Sequence, residues 1–301
     1  MTPLYTLAMD QRLWLKKAVF GTLDLDTAQT AELTGLKQVI ADGAIEAVRR
    51  GGVAAESAAV LIDEELGGEA PARIKQAGLT LSMALEKSQD CVYEEEPRSA
   101  SGELLAQHRP DLPKVLVRYN PETADATARE QLVALASTAD RVRAAGLPFL
   151  VELLVVPTEE QVRRAGSPER FETEALPGLT LSAIDDIKAA GVHAQWWKVE
   201  GMPDADRFAQ VLDRCRTGAD HRVEAVVLGK AAPQERVERW LSDAAAAGFA
   251  GFAIGRSIWW EAVRQLRAGT LDRAAAVDRI ATLYLRNCAV MSAALGEHAG
   301  V

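Results

Sequence analysis

The sequence predicts a single (β/α)8 barrel, and three observations lead there. Short apolar or β-branched runs return eight times along the 301 residues, separated by Ala-, Glu- and Arg-rich amphipathic stretches. Three of the helical stretches end in glycine just before the next strand, at Gly146, Gly191 and Gly248. Glycine accepts the left-handed backbone that closes a helix, so each is a suitable cap. The length also suits such a barrel, whose usual size is roughly 250 residues. A doubly wound open sheet is the competing layout. It would place a glycine-rich phosphate loop after its first strand, and Met9-Asp10-Gln11-Arg12 contains no glycine. No Pro/Ser-rich linker divides the chain, so one domain is expected over residues 1–301.

Taken in order, strands are expected at Tyr5–Met9, Ala59–Asp63, Leu79–Leu85 and Lys114–Tyr119, then at Phe149–Val155, Trp196–Glu200, Val223–Leu228 and Gly251–Ile254. Helical patterns lie between them at Ala28–Arg49, Thr127–Ala145, Leu181–Ala190, Asp204–Arg216 and Gln234–Ala247, and Trp260–Arg267 follows the last strand.

Composition narrows the function classes. Hydrophobic residues make up 48% and charged residues 26%, an ordinary globular balance that excludes disorder and a disulfide-built miniprotein. The longest apolar runs are strand-sized, far below the roughly 20 residues of a membrane span. No basic region precedes an apolar segment at the N-terminus, so no secretory signal is expected and the cytoplasm is the expected location. Net charge is −9, from 43 acidic and 34 basic residues, which argues against a general nucleic-acid binder. A local basic site for a small anion remains compatible with it. Cys91, Cys215 and Cys288 are scattered without a CxxC pair, as reduced thiols would be. The four histidines sit far apart, and no zinc spacing or GxSxG elbow is present, so neither a metal site nor a serine nucleophile is expected.

A barrel carries its chemistry at the C-terminal ends of its strands. Those ends read Asp10-Gln11-Arg12, Asp63-Glu64-Glu65, Glu86-Lys87-Ser88, Arg118-Tyr119-Asn120, Glu152, Lys198-Val199-Glu200, Gly229-Lys230 and Gly255-Arg256. Side chains alternate between faces along a strand, which groups Lys114 with Leu116 and Arg118, Glu152 with Leu150 and Leu154, and Lys198 with Trp196 and Glu200. The same alternation groups Arg256 with Phe252 and Ile254. If these faces point inward, lysines, carboxylates and arginines converge at one mouth. Glu86 and Lys87 are adjacent and so face opposite ways; spacing alone leaves open which of them enters the mouth.

Buried charge of this kind pairs off or serves a substrate. A lysine amine attacks a carbonyl only when unprotonated, a state favoured by desolvation and nearby cations. Lys198, preceded by Trp196 and Trp197 and with Lys114 potentially opposite, has that setting. Its imine with a ketone would be an electron sink for carbon–carbon cleavage, and Glu152 would move the protons. A structural ion pair of Lys198 with Glu152 or Glu200 is the plainer reading. Loops after strands seven and eight of such barrels commonly hold phosphate, and Gly229-Lys230 and Gly255-Arg256 offer close backbone approach with one cation each.

These motifs resemble the class I aldolase family that includes tagatose 1,6-bisphosphate aldolase. They look closer still to the aldolase domain for 2-deoxy-5-keto-D-gluconate 6-phosphate in myo-inositol breakdown. The resembling segments are Ala8–Arg12, Leu61–Glu65, Glu86–Ser88, Lys114–Pro121, Phe149–Val155, Trp197–Gly201, Val227–Gly229 and Gly251–Trp259, in order along nearly the whole chain. The resemblance implies a TIM barrel and a metal-independent lyase without a cofactor. It matches Lys198 to the Schiff-base lysine, Glu152 to the proton-transfer carboxylate, Lys114 to the assisting lysine, and Gly255 and Arg256 to the phosphate-binding strand end. Asp10, Gln11, Arg12, Glu86, Lys87, Arg118, Gly229 and Lys230 complete the expected substrate contacts. Family sequences tend to have His in place of Gln11, Gly-Gln in place of Gln89-Asp90, and Gly-Arg-Gly in place of Gly229-Lys230-Ala231. These departures line the mouth and bear on the substrate.

The leading expectation is therefore an aldolase of carbohydrate metabolism. It would cleave a phosphorylated ketose or keto-acid, such as 2-deoxy-5-keto-D-gluconate 6-phosphate, to dihydroxyacetone phosphate and an aldehyde. The alternatives are an aldolase or transaldolase for a sulfosugar such as 6-deoxy-6-sulfofructose, and a non-catalytic sugar-phosphate-binding barrel. The expected partner is a small anionic sugar, with no nucleic acid and no membrane, and the chain is expected to form a homo-oligomer.

Overall fold

A computed structural model describes residues 2–88 and 92–298. Its centre is a closed barrel in which β1 (Leu4–Ala8), β2 (Ala58–Ile62), β3 (Thr80–Ala84), β4 (Leu112–Arg118), β5 (Leu150–Leu154), β6 (Trp196–Val199), β7 (Glu224–Leu228) and β8 (Gly251–Ile254) pair in sequence order. Every pairing is parallel, and β8 closes on β1. The eight expected strands are the eight observed, with ends displaced by a residue or two. Gln89, Asp90 and Cys91 lie outside the described residues; Cys215 and Cys288 are free and buried.

Helices cover the outside. The N-terminal half carries α1 (Arg12–Phe20), α2 (Thr27–Arg49), α3 (Ala70–Gln76), the short α4 (Pro97–Ala100) and α5 (Glu103–His108), and α6 (Ala126–Ala144). Between β5 and β6 come α7 (Glu159–Ala165), one turn of α8 (Pro168–Arg170), a π-helical turn (Phe171–Ala175) and α9 (Leu176–Ala189). Then follow α10 (Ala205–Arg216), α11 (Gln234–Ala246), α12 (Arg256–Arg267) and α13 (Arg273–His298). The start of α2 is set by a capping box, in which the Asp26 side chain accepts from the Gln29 N–H and Gln29 answers to the Asp26 N–H. No described helix is long and apolar enough to cross a membrane.

The sheet separates two apolar clusters. The larger lies between strands and helices; the smaller, inside the barrel, consists of Leu4, Ala59, Leu112, Leu150, Val226 and Ala253 with Trp196 against it. That inner plug closes the barrel below the site, and on β4, β5 and β6 the next inward positions are Lys114, Glu152 and Lys198. Glu152 lies level with Leu116 and Lys198, whereas Lys114 lies level with Leu150, one inward step deeper.

The inward assignment for the last strand needs correction. Phe252 and Ile254 face the helices, and Ala253 faces the interior. Phe252 stacks on Tyr5 at 5.3 Å and meets Tyr284 of α13 edge-on at 6.1 Å. These ring contacts hold Phe252 in the layer between sheet and helices. Trp197 faces outward in the same way and forms no wall of the mouth.

Candidate active site

At the C-terminal mouth is a cavity of about 440 Å³ lined by residues of β4 to β8, by the segments that follow β1 and β3, and by α1. Lys114 lies fully buried among the carboxyls at its base. Its ammonium lies 2.7 Å from Asp10 Oδ2, 2.8 Å from Glu86 Oε1 and 2.9 Å from Glu152 Oε2. The Lys198 ammonium, also buried, lies 2.8 Å from the other oxygen of Glu152. Glu152 thus bridges two lysines, and Lys114 fills the point on which three carboxyls converge. Among the described residues there is no group of three or more His, Cys, Asp or Glu arranged to hold a metal ion.

The electrostatics follow from burial and pairing. Burial alone would strip Lys114 of its proton, but Asp10, Glu152 and Glu86 outweigh it and hold its pKa above the usual lysine value. Burial would raise Asp10, and Lys114 and Lys198 reverse that, holding it well below the usual carboxylate range. Glu152 is lowered by the same balance, burial opposed by Lys114 and Lys198. Glu86 goes the other way: burial prevails over Lys114 and Arg12, with Asp10 adding to the rise.

The remaining expected residues divide into several roles. Gln11 donates to Asp10 Oδ1 at 3.2 Å and so orients it. Arg12 is buried; it donates to the Glu86 carbonyl oxygen at 2.6 Å and pairs with Glu96 at 3.1 Å, tying the end of β1 to the end of β3. Glu86 enters the mouth, while the Lys87 ammonium is paired with Glu94 at the rim. Arg118 lines the wall. Asp63 is turned away and engages Lys37 of α2 and the Leu66 N–H.

Arg256 reaches the cavity because β8 stops at Ile254 and Gly255 turns the chain into α12. Its guanidinium lies 4.9 Å from the Trp14 ring centroid, and among the described residues no carboxylate comes within ion-pair distance of it. Burial lowers its pKa, yet a guanidinium remains charged at any working pH. Gly255 has a packing reason for being glycine, since a Cβ there would lie 2.2 Å from the Ala8 carbonyl oxygen. Gly229 likewise abuts the Ile254 side chain. Lys230 is already taken: its ammonium lies 2.8 Å from Glu172 and 2.9 Å from Glu200. Lys230 and Ala231 both have left-handed backbone, with φ of 46° and 55°, strain of a kind that collects at binding loops.

Two contributors carry no signal in the sequence pattern. Trp14 stands on α1, a helix without a side-chain cap to announce it. Glu172 lies in the π-helical turn, 58 residues before the lysine it neutralises. A larger cavity, about 620 Å³, opens on the flank between α5 and α6. The acidic Glu95 there is satisfied by Ser99, Thr138 and Arg141, so the reactive groups remain those of the mouth.

Fold and site together define a (β/α)8 barrel with one carboxylate bridging two buried lysines at its C-terminal mouth. The chain belongs to the family DUF2090, "Uncharacterized protein conserved in bacteria", whose model matches residues 1–294. A search of curated proteins gave no match. Among solved structures, fructose-bisphosphate aldolase from Plasmodium falciparum, in complex with TRAP and an inhibitor, is 13% identical with a TM-score of 0.67, covering 95% of this chain and 89% of that one. A Schiff base-forming fructose-1,6-bisphosphate aldolase is 15% identical with a TM-score of 0.57, covering 94% and 93%. An archaeal fructose-1,6-bisphosphate aldolase, with its catalytic lysine bound to the carbinolamine intermediate, is 14% identical with a TM-score of 0.56, covering 94% and 92%. At these identities the likeness is one of fold.

Proposed function

We propose that this protein is a class I, metal-independent aldolase in which Lys198 forms the imine, acting as one barrel domain over residues 1–301. The observation that carries the reading is Glu152 held between two buried ammonium groups, 2.8 Å from Lys198 and 2.9 Å from Lys114. Passing a proton from Lys198 to Glu152 frees the amine for attack on a ketone carbon. Glu152 can then return it to the carbinolamine hydroxyl, which leaves as water. The protonated imine accepts the electron pair released when the neighbouring carbon–carbon bond breaks. Lys114 stays charged throughout, keeps Asp10 ionised and favours the carboxylate form to which Glu152 returns after each proton transfer, an electrostatic role suited to its depth. The barrel shared with the Schiff base-forming aldolase and with the enzyme bearing a carbinolamine on its lysine adds weight.

In this reading Arg256, braced by Trp14, and the backbone around Gly229 and Gly255 seat the substrate's anion. The substrate is a phosphorylated ketose or keto-acid, with 2-deoxy-5-keto-D-gluconate 6-phosphate the first candidate by the motif resemblance. One observation favours a second reading. With Lys230 paired to Glu172 and Glu200, its charge is already offset, and the smaller positive charge left around Gly229 and Gly255 suits the one charge of a sulfonate as in 6-deoxy-6-sulfofructose. A cytoplasmic homo-oligomer completes the proposal.

Incubation with a panel of ketose phosphates and sulfosugars, with the three-carbon product read by a coupled dehydrogenase, tests it. Cleavage in wild type that is lost in Lys198→Ala is expected, and supplying alternative acceptor aldehydes separates an aldolase from a transaldolase. No carbon–carbon cleavage of any panel member, with intact binding, would instead favour a non-catalytic sugar-binding barrel.

A further inference from the structure

Three carboxyls face two ammonium groups at the base of the mouth, and their oxygens are not equally provided for. Asp10 uses one oxygen for Lys114 and the other for Gln11. Glu152 uses one for Lys114 and the other for Lys198. Glu86 uses Oε1 for Lys114, while its Oε2 is buried with no hydrogen-bond partner among the described residues. A dehydrated, unpaired carboxylate oxygen is costly, whereas a neutral carboxyl in the same place keeps a donor in reserve. Glu86 also lines the cavity.

We propose that Glu86 is a neutral carboxylic acid in the unliganded protein, its Oε2–H held ready as a hydrogen-bond donor to a carbonyl or hydroxyl oxygen of the bound substrate. The charge balance of the cluster agrees. With Glu86 neutral, Asp10 and Glu152 offset Lys114 and Lys198 one for one, and the Arg12–Glu96 pair beside them is self-compensating. Among the described residues, the charged and titratable groups facing Glu86 are Asp10 and Arg12 from the end of β1 and the start of α1, Lys114 from β4, and buried Tyr93 from the segment after β3. Burial moves the Glu86 carboxyl up in spite of Lys114 and Arg12, consistent with a retained proton. The role complements Glu152: one carboxyl ionised and able to accept, the other neutral and able only to donate. The substrate contact rests on the aldolase reading; the protonation state does not.

Infrared difference spectra of the unliganded protein at pH 7, wild type minus Glu86→Gln, test the proton directly. A carboxylic-acid carbonyl band that shifts in D2O and is missing from the variant is expected. A difference containing only carboxylate bands overturns the proposal. Glutamate-specific 13C labelling of wild type decides the same question without the variant, because it displaces a glutamic-acid band and leaves an aspartic-acid band in place. Ligand contact is read from the pH dependence of the apparent KM. In wild type KM rises tenfold per unit above the acid's pKa, and in Glu86→Gln, whose amide cannot ionise, that rise disappears; an unchanged profile overturns the contact. Borohydride trapping on the same samples keeps the two claims apart, since it reports on the imine at Lys198 and not on the Glu86 proton.

Discussion

Replacing Lys114 by methionine is the most informative perturbation of the cluster, because methionine keeps much of the length and removes only the charge. Three buried carboxyl contacts at 2.7, 2.8 and 2.9 Å lose their common partner. Removing one member of a buried ion pair typically costs about 3–5 kcal/mol, mostly from the charge left behind. The pH dependence distinguishes this cause from lost packing. In wild type, Asp10 and Glu152 have lowered folded-state pKa values, so their stabilisation is fully present above the unfolded carboxylate values near ~4 and is lost as pH falls through the lower folded values. Lys114, raised, contributes fully below its unfolded value near ~10.4 and loses that as pH rises through the folded one. Without Lys114 the carboxyls are raised instead, the folded state binds the extra protons, and the variant gains stability as pH falls from 8 to 5. Urea unfolding at both pH values should therefore show a deficit of about 3–5 kcal/mol at pH 8 and a clearly smaller one at pH 5. A deficit below about 1 kcal/mol, or one equal at both pH values, would refute the assignment of the cluster as an ammonium-centred charge network.

Other consequences can be checked as directly. Arg256→Ala should weaken binding of an anionic substrate by about tenfold to a hundredfold, the loss of one charge-assisted hydrogen bond, while an uncharged ketone is still trapped by borohydride. Unchanged affinity in titration calorimetry would move the anion seat elsewhere. Gly255→Ala should lower the melting temperature, because the new Cβ would meet the Ala8 carbonyl oxygen at 2.2 Å and overpacking costs about 1–3 kcal/mol. A variant as stable as wild type would show that the end of β1 can shift away.

How much of this could be read from the residues alone depended on how local the signal was. The barrel strands were readable because their inward faces end in charge while the runs themselves are apolar, as in Lys114–Tyr119 and Trp196–Glu200. The depth of Lys114 relative to Glu152 also follows from position within a strand. Alternation failed where the chain stops being a strand: past Ile254, Gly255 breaks the two-residue period, so Arg256 enters the mouth although Phe252 and Ile254 face out. Helix α1 has no capping side chain, and α13 packs against α2, α11 and α12, which blurs a single apolar stripe. The neutralisation of Lys230 depends on Glu172 and Glu200, a tertiary arrangement that no spacing announces. Alternation put Glu86 and Lys87 on opposite faces but could not say which of them enters the mouth; that is decided by the contact of Glu86 with Lys114 across the barrel and of Lys87 with Glu94 at the rim.

The central claim is that Lys198 is the nucleophile, with Lys114 too deep and too firmly paired to meet a ketone. Incubating the protein with dihydroxyacetone phosphate or a ketose substrate, reducing with borohydride and mapping the peptides by mass spectrometry tests it most directly. One reduced adduct on the Lys198 peptide, absent from Lys198→Ala and unaffected by EDTA, is the predicted result. Labelling on Lys114, or full cleavage activity in Lys198→Ala, would contradict it.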